Sequence, residues 1–142
     1  MKRLLVLALL LTGCVSPSRT DRDYELKAGN SAKAVASSVA TALLGARAAA
    51  DHKAGAPYLT VLLVNAEKDA LAVQSTFDSV QPPSSTADGI KDQVDELLTA
   101  ATSGLSEMRT LVRRGELAAL PGLAQRLRPT LDDLQTFADR YQ

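Results

Sequence analysis

Four long stretches of this chain carry apolar residues at alternating spacings of four and three, and that rhythm limits the fold more than any other feature. In the first stretch it selects Ala28, Ala32, Val35, Val39, Ala42, Ala46 and Ala49. The second gives Leu59, Leu63, Ala66, Ala70, Val73, Phe77 and Val80, and the third Ile90, Val94, Leu97, Ala101, Gly104, Met108 and Leu111, flanked by Leu98, Leu105 and Val112. The fourth runs Leu117, Leu120, Ala124, Leu127, Leu131, Leu134, Ala138 and Tyr141. Such spacing keeps one stripe of a helix facing its neighbours, as in bundles and coiled coils. No comparable period-two run occurs, so no sheet is expected.

Breaker residues fall between the stripes. Gly55 and Pro57 separate the first two helices, Pro57 being suited to a first helical turn. Pro82 and Pro83 end the second helix, because the residue before a proline is driven out of the helical region. Ser85 or Thr86 is expected to cap the third, with Asp88 in its first turn and Gly115 as its stop. Short connections favour antiparallel neighbours, hence an all-α, up-down-up-down four-helix bundle with helices roughly 36–45 Å long. Pro121 implies a separate short turn over Glu116–Leu120. Pro129 denies a donor to the carbonyl of Gln125, and a kink is expected there.

The residues before the bundle have another character. Lys2 and Arg3 precede eight apolar residues, Leu4–Leu11, then Thr12, Gly13 and the single cysteine, Cys14. A charged start, a short apolar run and a small-residue exit make up a secretory signal, and the run falls well below the roughly 18–20 residues that span a bilayer. Leu11-Thr12-Gly13-Cys14 resembles the lipobox of bacterial lipoproteins. The resemblance covers residues 1–14 and implies cleavage before Cys14 and acylation (palmitate or a similar chain) of its thiol. It also implies a location outside the cytoplasm, on the cell membrane or the outer membrane. Val15 stands where that family places an aspartate for inner-membrane retention, so outer-membrane sorting is implied in a cell with two membranes. The expected organisation is a signal over 1–13, a lipidated cysteine and polar tether over 14–22, and the bundle domain over 23–142. Eight tether residues reach at most roughly 28 Å.

The whole chain has 16 basic and 16 acidic side chains. Loss of Lys2 and Arg3 with the signal leaves the remainder slightly acidic, without the basic footprint that nucleic acid requires. Metal and haem need ligands in pattern. The one histidine is His52, no Glu-x-x-His or Cys-x-x-Cys-His occurs, and Met108 sits in an apolar stripe as core filler. No Gly-x-Ser-x-Gly or phosphate-cradling glycine loop is present. The expectation is a protein that is not an enzyme, binds no cofactor or metal, and is monomeric.

Anchoring at Cys14 also orients the bundle. The turns after the first and third helices lie together at the far tip, which carries His52, Lys53, Arg109, Arg113 and Arg114 against Asp51 and Glu116. Asp21, Asp23, Glu25, Asp78, Asp88 and Asp139 lie at the near end. His52, Lys53, Arg113 and Arg114 are therefore candidate contacts for an anionic wall polymer or another envelope protein. The alternative function is uptake of a small apolar ligand between helices, near Ala42, Ala46 and the Pro129 kink.

Overall fold

Residues 18–142 are described by a computed structural model. They form four helices: α1 (Asp21–Ala50), α2 (Ala56–Asp78), α3 (Ser85–Arg113) and α4 (Leu120–Arg140), with a single 3-10 turn at Leu117–Ala119 before α4. No strand occurs among the described residues. The architecture is the expected all-α four-helix bundle. Cys14, the signal over 1–13 and the first part of the tether lie outside the described residues.

Local chemistry sets the helix ends. Thr20 caps α1 by accepting the Asp23 N–H at 3.1 Å, and Pro57 occupies the first turn of α2. The cap of α3 is Ser84, rather than Ser85 or Thr86. Its hydroxyl accepts the Ala87 N–H at 3.2 Å and donates to the Asp21 carboxylate at 2.7 Å. Having Asp21 as a second partner favours Ser84, because one hydroxyl then closes a helix end and ties α3 to α1. Gly115 follows α3 in the left-handed region, φ 76°, as a helix stop requires. Two residues read as tether, Asp21 and Arg22, already belong to α1. Ser18 is buried and accepts from the Lys27 ammonium at 3.2 Å.

The stripes meet in one core. Ala28, Ala32, Val35, Val39, Ala42 and Ala46 of α1 are buried, as are Leu59, Leu63, Ala66, Ala70 and Phe77 of α2. On α3 the buried line runs Ile90, Val94, Leu98, Ala101, Leu105, Met108 and Val112. Leu97 and Leu111, assigned to the centre of the stripe, are half-buried on its flank. At 100° per residue Leu98, Leu105 and Val112 cluster around the line through Val94, Ala101 and Met108, whereas Leu97 and Leu111 fall to one side of it. Leu123 and Phe137 of α4 join the core, while Ala124 and Leu131 are only partly buried.

Helix α1 packs against α2, α4 and, across the bundle, α3, while α2 and α4 make no comparable contact. The alanines of α1 explain this rhombic section, since side chains this short let α3 approach across the diagonal. The alanine-rich face is thus filled by the bundle itself. Pro129 is accommodated within α4, which continues unbroken from Leu120 to Arg140.

The ring-bearing core residues gather at the end where α1 begins. Tyr24 and Phe77 have centroids 5.4 Å apart, and Phe137 and Tyr141 4.8 Å. Arg22 donates to the Gln142 carbonyl at 3.3 Å and Lys33 to its side chain at 3.2 Å, which binds the C-terminus to α1.

Candidate functional site

The turns after α1 and α3 lie at the bundle end opposite the Tyr24–Phe77 pair, as antiparallel connection demands. His52 closes α1 with φ 55°, a left-handed conformation uncommon outside glycine. It allows the Lys53 N–H to reach the Ala48 carbonyl at 2.8 Å. His52, Lys53, Arg113 and Arg114 are all exposed. Lys53 lies 3.4 Å from Asp51. Among the described residues no carboxylate approaches Arg113 or Arg114 within ion-pair distance, and no hydrogen bond links the two pairs.

Arg109 does not belong to this tip group. It forms a two-pronged ion pair with Glu67 of α2, and both side chains are mostly buried. Hydrogen bonding to Glu67, reinforced by its charge, raises the Arg109 pKa further above its ordinary value. The pair locks α2 to α3 and removes one cation from the tip. It joins residues 42 positions apart, and no local spacing rule signals such a contact.

The acidic near end is also partly neutralised internally. Asp23 pairs with Lys27 at 3.0 Å, and the hydrogen bond from that lysine lowers the Asp23 pKa. Glu25 lies 3.5 Å from Arg22. Deeper in, Tyr24 is fully buried and its hydroxyl has no protein partner, as is true of Asp95 Oδ1. Burial, followed by the Asp95 charge, pushes the Tyr24 phenol up to about 12. No group of three or more His, Cys, Asp or Glu side chains suited to a metal ion occurs among the described residues. No described helix is long and apolar enough to cross a membrane.

The surface feature absent from the sequence expectations is an apolar face on α1 and α2. Leu44 is 67% exposed, Val61 61% and Tyr58 60%. Tyr58 and Val61 border a groove of about 430 Å3 between the two helices, floored by Leu62 and Ala66 and edged by Ser37, Ser38, Thr41, Asn65 and Asp69. Leu44 stands one turn beyond Thr41 on α1. Val64 and Leu71 extend the apolar character along the outside of α2. The one signal for this face was a surplus of large aliphatic residues in α2 beyond those its core stripe uses.

Of the residues named for an apolar ligand, Ala46 lines a groove between α1 and α4 that also reaches Arg128, the neighbour of Pro129. Ala42 is fully buried and Ala46 nearly so. That groove is open to the surface, and Ala42 does not line it. Comparison with known proteins adds no relative: no family model, no curated protein and no solved structure matches this chain.

Proposed function

We propose that this protein is a non-catalytic interaction module of a bacterial envelope, held to a membrane through lipid on Cys14, that docks an apolar helix of a partner against α1 and α2. The observation that carries the docking is that Tyr58 and Val61, both more than half exposed, line one groove, with Leu44 exposed one turn beyond its Thr41 edge. Single exposed apolar residues are ordinary, but a contiguous set rimmed by polar side chains marks an interaction surface. Serine, threonine and asparagine on the rim supply hydrogen bonds for orientation, while Tyr58 offers a wide ring with a polar tip. A helix laid in such a groove uses anchors one turn apart, matching the Tyr58–Val61 spacing.

The lipid anchor rests on the lipobox resemblance at Leu11-Thr12-Gly13-Cys14. In that arrangement His52, Lys53, Arg113 and Arg114 form the membrane-distal tip. The positive charge of Lys53, Arg113 and Arg114 steers an acidic partner toward the adjacent apolar face, affecting association rate more than final affinity. Crosslinking in intact cells tests the reading. Wild type should give a discrete adduct that Val61→Asp abolishes and Cys14→Ala weakens. An adduct unchanged in Val61→Asp contradicts docking on this face.

A further inference from the structure

The groove between α1 and α4 is chemically unlike the other grooves of the bundle. Its floor and walls are Leu43, Ala46, Ala124 and Pro121, and it encloses about 440 Å3. Arg47 of α1, and Arg128 and Gln125 of α4, also line it. No acidic residue lines it, whereas the α1–α2 groove contains Asp69 and the lower α1–α4 groove sets Asp139 against Lys33. Among the described residues neither Arg47 nor Arg128 has a carboxylate within ion-pair distance. The adjoining N-terminus of α4 adds to the positive potential, having no side-chain cap and no acidic residue in its first turn.

We propose that this groove binds a long-chain carboxylate, a free single-chain fatty acid, with its head between Arg47 and Arg128 and its tail along Leu43, Ala46 and Ala124. Guanidinium forks match a carboxylate with two parallel hydrogen bonds, and two unpaired arginines from different helices define where the head must sit. The apolar floor accounts for the tail, which a free inorganic anion lacks. The volume is that of a drug-sized ligand, which limits the tail to one chain and disfavours a two-chain phospholipid. The site is separate from the α1–α2 docking face and shares no residue with it.

Titration calorimetry with dodecanoate below its micelle concentration tests the proposal, using the chain from residue 14 with Cys14→Ser so that it carries no lipid. Wild type should bind one equivalent, and Arg47→Gln with Arg128→Gln should weaken binding by at least about tenfold, the worth of a lost charge-assisted hydrogen bond. Both side chains are exposed and unpaired, so the double variant should keep the wild-type circular dichroism and melting temperature. Acetate and inorganic phosphate should bind far more weakly than dodecanoate, and so should dodecanol. Comparable binding of dodecanol reduces the site to an apolar crevice, and comparable binding of acetate or phosphate reduces it to an anion site. Either result overturns the proposal. So does the absence of dodecanoate binding, equal binding by the double variant, or preferential binding to phosphatidylglycerol vesicles.

Discussion

Leu127 of α4 sits in the hollow left by Gly104 of α3, so closely that a Cβ at Gly104 would stand 2.5 Å from one leucine methyl and 3.2 Å from the other. Leu127 is itself buried and has little room to retreat. The contact fixes how near α3 and α4 approach. Gly104→Ala therefore sets a helix-propensity gain of about 1 kcal/mol against an overpacking cost of about 1–3 kcal/mol. We expect a net loss of about 1 kcal/mol in urea unfolding. In a Leu127→Ala background the hollow is vacant, and the same substitution should become stabilising. A double-mutant cycle with no coupling would show that the two residues do not set the spacing.

Tyr24 gives a pH dependence of known sign. Its folded-state pKa of about 12 exceeds the ordinary tyrosine value near 10, so the neutral phenol is the form the fold prefers. Its contribution is fully present below pH 10 and lost as pH rises toward 12. Unfolding measured across this window should show a fall in stability that is shallower in Tyr24→Phe. At neutral pH the same variant should be more stable by about 1 kcal/mol, because it removes a buried hydroxyl with no protein partner and keeps the ring against Phe77.

His52 holds a left-handed backbone at the end of α1. A side chain costs roughly 1–2 kcal/mol in that region, and glycine loses part of this gain through its freer unfolded chain. His52→Gly should raise stability by about 0.5–1 kcal/mol, measured by chemical denaturation at pH 7. A loss would mean that the imidazole makes a contact that outweighs the backbone strain.

The periodicity of the apolar residues was enough to specify four antiparallel helices, because each stripe must be buried and short turns leave one economical way to do so. The stripes omitted Tyr24, Leu123 and Phe137, all of them buried, because a single line of positions is narrower than the face a helix buries against several neighbours. Other features depended on which helices become neighbours. Neither the Glu67–Arg109 pair nor the capture of Asp21 by Ser84 leaves a trace in local spacing, since each joins residues remote in sequence. The exposed face of Leu44, Tyr58 and Val61 became visible only once the core had claimed the rest of α1 and α2.

The proposed lipid on Cys14 has a separate test. Cys14→Ala should move the protein from the membrane fraction to the soluble envelope fraction and abolish labelling by palmitate, with the melting temperature of the whole protein unchanged. Persistent membrane association of this variant would point to another means of attachment.

Docking on α1 and α2, as proposed, requires a partner to lie against Val61 in the cell. A photocrosslinking amino acid placed singly at Val61, at Arg114 and at the exposed Asp132 of α4 in living cells tests it most directly. The account predicts one strong, discrete adduct to an envelope protein at Val61, a weaker adduct of the same mass at Arg114, and none at Asp132. Equal adducts at Val61 and Asp132, or none at Val61, would contradict it.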